Sequence, residues 1–471
     1  MPDAPGSLPA KPRRARRPPG PAPFRRPEEF TMSTNARPRP AAHRARRLAL
    51  PATAALLLAG LAGAPARAQD AAQPAAENAA QNETFDRIVL SPTATPDTAA
   101  TLTWRTPAAS AAPVVEYQPA DGGPTTTVAA TPTGQVAGGH HHRADLTGLS
   151  PDTAYRYRLG DRAAFSDWIT FRTAGAAGDP FTFLYFGDIQ NDITTGAAPL
   201  VAAAQADVPH AELTVHAGDL INNANADAEW AEWFAAFGTQ HTATHPQIAT
   251  PGNHEYDGWE LSDHWTRQFP GAGNGPDDED LDGTVYYTDY QGVRFVSLNS
   301  NYTNAPWFDV VDWLEDQRVW LDRVLSGNPN RWTVVTLHQP VMANSEGRTG
   351  AVVREAFLDV LEEHDVDLVL QGHDHSYGRG NLLDRRTDDP AVTTGPAYVV
   401  SVAGPKMYEP TPADWTAAGA EARVQHGDTQ TYQVVDVTAD RLRYEARTGD
   451  GAVVDAFTVL RDADGKRVVE D

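Results

Sequence analysis

The chain has 471 residues, with 62 Asp and Glu against 38 Lys and Arg, and it contains no cysteine. Disulfides, thiolate metal ligands and a cysteine nucleophile are therefore excluded, so any transition-metal site must use His, carboxylate, amide or tyrosine. The length allows two or three domains and a core that needs no covalent staples.

The first 68 residues differ in character from the rest. Residues 1–31 are rich in Pro and Arg with no apolar period, which reads as a disordered tail or an extension upstream of a start at Met32. Basic residues Arg44 to Arg47, an apolar run from Leu48 to Leu61, and Ala66-Arg67-Ala68 then follow the three-part layout of a signal peptide. The apolar run is too short and Ala-rich for a stable membrane span. Cleavage is expected near Ala68, giving an exported protein, and Arg46-Arg47 admits twin-arginine export. Without this leader the chain carries 25 basic and 59 acidic residues, net −34. A surface of that sign repels nucleic acid and anionic membranes.

Residues 69–83 are rich in Ala, Gln and Asn and read as a linker. From 84 to 175 short alternating segments such as Thr101-Leu102-Thr103-Trp104 and Ala154-Tyr155-Arg156-Tyr157 are separated by Pro and Gly turns, which predicts an all-β sandwich. Leu146 to Pro151 ahead of Tyr155 resembles the corner of a fibronectin type III domain, where a tyrosine bonds back to the backbone. Such a domain would offer a surface or glycan contact. His140, His141 and His142 are consecutive, and strand residues alternate faces, so the three cannot converge on one ion.

Residues 180–471 read as the main domain. Thr182 to Phe186 and Leu213 to Ala217 are buried-strand runs, with Ala197 to Ala206 able to supply a crossover helix. Val310, Trp313, Leu314, Gln317, Trp320, Leu321 and Val324 keep helical spacing ahead of a strand over Trp332 to Leu337. Val353, Phe357, Val360 and Leu361 do the same ahead of a strand over Val366 to Leu370. The tryptophans read as core. After Ala397 the chain turns β-rich.

Five short segments carry the chemistry: Gly187-Asp188-Ile189-Gln190, Gly218-Asp219-Leu220, Gly252-Asn253-His254-Glu255, His338-Gln339-Pro340 and Gly372-His373-Asp374-His375. Each sets an Asp, Asn or His beside a Gly or Pro, and most follow a strand-like run, which is how strand ends aim hard oxygens and imidazoles at a metal. A single Gly-Asp pair is an ordinary turn former; the ordered series is specific. From near Asn82 to the C-terminus the chain resembles the calcineurin-like metallophosphoesterases, in the purple-acid-phosphatase-like branch. The resemblance implies an αββα domain of two packed sheets flanked by helices, placed after the β-sandwich.

It also implies roles by motif position. Asp219 would bridge two metal ions, Asp188 and His375 would bind the first, and Asn253, His338 and His373 the second. His254 would act as acid or phosphate contact, Glu255 would orient it or a neighbouring loop, and Tyr377 and Arg379 would either line the pocket or serve as structural anchors. Purple acid phosphatases place a tyrosine ligand where this chain has Asn222, and other branches place a histidine where it has Gln190. Without a phenolate no purple colour is expected. Gln190 would bind the first metal weakly or position its water, Asn222 would face the pocket, and iron, zinc, manganese and calcium all stay open.

The expected reaction is hydrolysis of a small phosphomonoester by in-line attack of a metal-bound hydroxide. No Gly-x-Ser-x-Gly elbow or Gly-x-x-x-x-Gly-Lys loop supports other chemistry. A phosphodiesterase or nucleotidase on the same site, and a surface-binding protein with a degraded metal site, are the alternatives.

Overall fold

Phe181–Phe186, apolar except for Thr182, forms a strand buried on both faces. The computed structural model describes residues 85–161, 164–305, 310–463 and 465–471; the expected leader, cleavage site and linker lie outside them. Phe181, Phe183 and Tyr185 enter one apolar core while Leu184 and Phe186 enter another, the alternation of a strand covered on both sides. This strand pairs in parallel with Leu213–Ala217, which pairs in parallel with Gln247–Thr250. Its other edge takes antiparallel Tyr432–Val437, followed by Arg441–Arg447, Val453–Asp462, Gly465–Glu470 and Val392–Thr393, so the end of the chain completes an eight-stranded sheet.

A second sheet has seven strands in the order Tyr286–Tyr290, Val293–Ser297, Trp332–Leu337, Leu368–Gln371, Ala397–Val400, Tyr377–Leu382 and Ala420–His426. Four of these, from Val293–Ser297 to Ala397–Val400, run parallel. The two sheets face each other across one core in which Phe183, Val215 and Val435 of the first meet Phe295, Val334 and Leu370 of the second. Helices Ala198–Asp207 and Asp227–Phe237 pack on the outer side of the first sheet. Helices Val310–Ser326 and Ala351–Glu363 are the crossovers that parallel pairing in the second requires. In the first of these, Trp313, Leu314, Gln317, Trp320, Leu321 and Val324 are buried at the expected spacing. Gln317, the polar member, exchanges two hydrogen bonds with the Asn299 backbone, each 2.9 Å long. Two packed sheets flanked by helices is the architecture the resemblance implied.

The N-terminal domain is all β. One sheet holds Asp86–Ser91, Ala99–Thr106, Gly139–Thr147 and Thr131–Val136, and the other Thr126–Ala129, Val114–Pro119, Ala154–Gly160 and Ile169–Arg172. Leu102, Trp104, Val115, Leu146, Tyr157 and Leu159 fill the space between them. The Tyr155 hydroxyl accepts from the Ser150 amide at 3.0 Å, the expected corner bond. His142 stacks on Trp104 and meets the Thr106 hydroxyl at 2.9 Å, while His141 takes the opposite face of its strand. That face docks on the main domain. Thr103 donates to the Gln268 carbonyl at 2.8 Å and Arg87 pairs with Asp227 at 2.7 Å; from the sandwich interior the Tyr157 hydroxyl also reaches the main domain, donating to the Ala243 carbonyl at 2.8 Å. No helix among the described residues is long and apolar enough to cross a membrane.

Candidate metal centre

The parallel strands of both sheets end at the same edge of the core, and the five motifs begin there. Asp188 follows Phe181–Phe186 and Asp219 follows Leu213–Ala217; from the second sheet, His338 follows Trp332–Leu337 and His373 and His375 follow Leu368–Gln371. The Tyr185 hydroxyl donates to the Gln371 carbonyl and ties the two sheets together just behind these loops.

The loops are held in demanding conformations. Asp188, Asp219, His373 and His375 all have positive φ, at 47°, 52°, 74° and 44°, a region that costs a non-glycine residue about 1–3 kcal/mol and collects at functional sites. Backbone bonds maintain it: Asp188 donates to the Gly218 carbonyl at 3.2 Å, and Gly404 donates to the Asp188 carbonyl at 2.7 Å. Glycine is required beside the ligand candidates because the chains run so close. A methyl on Gly372 would strike the Asp188 carboxylate, and one on Gly252 the Asp219 carboxylate.

Two trios result, each with its ligand-type atoms within 4.8 Å of one another: Asp188, Asp219 and His375, and Asp219, His338 and His373. Asp219 belongs to both. His338 Nε2 lies 3.2 Å from Asp219 Oδ2, 3.1 Å from Asn253 Oδ1 and 3.2 Å from His373 Nδ1. His338 Nδ1 donates to the Ala217 carbonyl and His375 Nδ1 to that of Lys406, both at 2.8 Å, so each ring turns Nε2 toward its trio. Gln190 borders the first trio, its amide nitrogen 2.7 Å from Asp219 Oδ2 and 3.1 Å from His375 Nε2. Asp188 Oδ1 and Gln190 Oε1 are buried without a hydrogen-bond partner.

Titratable groups are concentrated here in buried positions. Burial raises the Asp188 carboxyl well above its usual range, with Asp219 adding to the effect. Burial also opposes the charge on Asp219, yet the His338 imidazole beside it holds it below the usual carboxylate range. Against the same burial, Asp219 and Asp188 push His338 up to about 9. Burial, then the Asp219 charge, pushes Glu255 up to about 7. A cation between these carboxylates would invert that pattern.

Around the trios, Glu255 is fully buried and accepts from the amides of Asp219, Leu220 and Gly252 at 2.9, 2.8 and 2.6 Å. It therefore shapes the Asp219 loop and makes no hydrogen bond to the His254 ring. That ring is oriented instead by the Asn222 carbonyl, 2.6 Å from Nδ1, and the His254 amide donates to Asp219 Oδ1 at 2.9 Å. The Asn222 side chain accepts from Asn191 at 2.7 Å and borders a cleft next to Asn253. Glu229 holds this segment by accepting from the amides of Asn222 and Asn223 at 2.7 and 2.8 Å.

Of the two roles open to Tyr377 and Arg379, pocket lining is corrected and anchoring is what the structure shows. Both are buried, at 0% and 3% exposure. Both bind Asp455 of the opposite sheet, Tyr377 through its hydroxyl at 2.6 Å and Arg379 through Nε at 2.7 Å. They point between the sheets because alternate residues of Tyr377–Leu382 must. Sequence reasoning missed Glu229, Arg348, Tyr408 and Lys406, which lie outside the motifs, and passed over Gln339 inside one.

Comparison with known proteins agrees with this geometry. Residues 85–173 match the family described as purple acid phosphatase, N-terminal domain, and residues 181–377 match calcineurin-like phosphoesterase. Purple acid phosphatase 21 of Arabidopsis thaliana is 28% identical over 269 residues, covering 55% of this chain and 57% of that one. The chain thus spans a little over half the length of that relative. Among solved structures, purple acid phosphatase PPD1 from yellow lupin (Lupinus luteus) seeds superposes with a TM-score of 0.60 at 20% identity, covering 81% of this chain and 75% of that one. PhoD does so with a TM-score of 0.58 at 15% identity, covering 82% and 91%. Residues 85–173 and 181–377 thus carry, in that order, a purple acid phosphatase N-terminal domain and a calcineurin-like phosphoesterase domain, the pairing that the resemblance implied.

Proposed function

We propose that the chain is an exported phosphoesterase that hydrolyses small phosphate monoesters with the help of two metal ions. One observation carries the reading: two Asp/His trios, buried except for a half-buried His373, share the Asp219 carboxylate where both sheets end. Asp188, His375 and Gln190 would hold one ion and Asn253, His338 and His373 the other, with Asp219 between them. The donors suit such ions, since the unpartnered buried oxygens of Asp188 and Gln190 are costly unless a cation or water meets them. Bound there, the ions would polarise the phosphoryl oxygens and lower the pKa of the attacking water. With no thiolate or phenolate among the donors, manganese, zinc, iron and calcium are the candidates.

The chain itself supplies position and proton handling. The Nδ1 bonds of His338 and His375 to backbone carbonyls turn Nε2 of each toward the trios, where a bound cation would displace any proton. His254, with Nδ1 occupied by the Asn222 carbonyl, keeps Nε2 for the substrate. A proton held there serves the departing alkoxide. A second reading, phosphodiester hydrolysis, draws support from two clefts that meet at Asn253, since a diester has two substituents to house.

The test is hydrolysis of p-nitrophenyl phosphate and bis(p-nitrophenyl) phosphate by the protein loaded with each metal, alongside Asp219→Asn. Monoester preference, lost in the variant together with bound metal, supports the proposal; diester preference moves it to the second reading. No turnover with any metal overturns both and favours a protein that contacts a surface or glycan through its β-sandwich.

A further inference from the structure

The two clefts at Asn253 differ in chemistry. One, of about 470 Å³, is bordered by Asn222, Asn223, Asn225, His254 and Asp257, and among the described residues it contains no Lys or Arg. The other, of about 320 Å³, runs from Asn253 and His373 to Tyr302, Gln339 and Arg348.

Arg348 brings a guanidinium to this wall in a molecule with a large excess of acid. Its Nη1 donates to the His373 carbonyl at 3.0 Å and lies 3.5 Å from Asp374 Oδ1, while Nε and Nη2 make no hydrogen bond among the described residues. The Tyr408 ring steadies it, 4.9 Å from the guanidinium carbon, and packs 4.9 Å from the His375 ring. The Lys406 ammonium lies 5.3 Å from the same tyrosine, so two cations flank one ring that touches a candidate ligand. Gln339 is only 5% exposed. Its amide nitrogen donates to Thr303 at 3.3 Å, but its Oε1 has no partner. An unmet buried acceptor on a cleft wall calls for a donor from outside the protein. Burial raises the Tyr302 phenol pKa, so its proton stays available for donation.

We propose that this cleft is the alcohol subsite, and that it selects phosphomonoesters whose alcohol part carries a second anionic group, a carboxylate or another phosphate, next to a hydroxyl. The inference rests on the phosphoesterase reading. Nε and Nη2 of Arg348 form the planar fork that grips a carboxylate or phosphate through two parallel bonds, and Gln339 Oε1 accepts from the hydroxyl. The phosphoryl group sits at Asn253, within reach of His254 from the neighbouring cleft.

The experiment compares kcat/KM of the metal-loaded protein on p-nitrophenyl phosphate, glycerol 3-phosphate, 3-phosphoglycerate and fructose 1,6-bisphosphate. At least one anionic substrate is expected to exceed glycerol 3-phosphate by about tenfold or more, and which one does so identifies the anion. Arg348→Met should erase that ratio mainly through KM, and Arg348→Lys should restore part of it. Because Arg348 also touches the His373 backbone, Gln339→Leu is the second check; it should lower the hydroxylated substrates more than the aryl phosphate. Equal rates on all four substrates, or an equal loss on all four in both variants, overturns the subsite and leaves the phosphoesterase reading intact. Failure to hydrolyse p-nitrophenyl phosphate overturns both.

Discussion

Asp219 and His338 approach to 3.2 Å although one ends a strand of the eight-stranded sheet and the other a strand of the seven-stranded sheet. The candidate centre therefore straddles the seam of the fold, and its geometry depends on the packing between the sheets. Anything that shifts one sheet against the other changes the distance between Asp219 and His338.

Glu255 sets the Asp219 side of that pair by satisfying three buried amides at once. Glu255→Gln turns one acceptor oxygen into a donor that faces other donors. A loss of about 1–3 kcal/mol is expected, with weaker metal retention because Asp219 loses its fixed backbone. Thermal melting with metal analysis of the purified variant checks both; an unchanged melt would contradict this role.

The domain interface should be acid-sensitive through His141. Burial, with Arg87 and Arg105 nearby, holds its pKa down to about 3, and both ring nitrogens lack partners. The unfolded chain therefore binds the proton first. The stability tied to neutral His141 is complete above about pH 6.5 and declines as pH falls from there toward 3. At pH 5 this amounts to about 2 kcal/mol. Denaturation midpoints at pH 7.5 and 5 should diverge less in His141→Leu than in the wild-type protein, whereas parallel shifts would refute the assignment.

Arg379 tests the corrected reading of the segment after the last motif. It is buried and pairs with Asp455 through Nε at 2.7 Å and Nη2 at 3.0 Å. Arg379→Met leaves that carboxylate in the core with only Tyr377 beside it, and a cost of about 3–5 kcal/mol is expected. Chemical denaturation measures it. The KM for an aryl phosphate should stay within about twofold, which corresponds to a few tenths of a kcal/mol; a large rise in KM with intact stability would return Arg379 to the pocket.

Asn222 occupies the position of the family's tyrosine ligand, and its side chain is engaged by Asn191 at 2.7 Å. Iron-loaded protein should therefore lack an intense phenolate absorption band in the visible spectrum. Asn222→Tyr should introduce one if the position faces the first ion. Absorption spectra of the two proteins at equal iron content decide the matter.

Much of the fold was legible because its signals are short-range. The apolar run at Phe181–Phe186, the helical spacing from Trp313 to Val324 and the Gly-flanked motifs each express a rule that operates within a few residues. The same locality explains what was missed. Tyr377 and Arg379 stand just past His375, and nothing nearby indicates that Asp455 waits for them across the core. For Glu255 the sequence left two partners open, His254 or a neighbouring loop, and only the turn at Asn253–Glu255 decides for the loop that carries Asp219.

The sequence by itself determined which residues can meet a metal and in what order they leave their strands, since turn chemistry and side-chain type are local properties. Only the tertiary structure decided which of them converge. Tyr432–Val437 inserts beside Phe181–Phe186, the two sheets close on one core, and Arg348 with Gln339 come to wall a cleft beside His373. Those outcomes depend on pairing and packing between residues far apart in the chain, where burial of the combined surfaces outweighs any local preference.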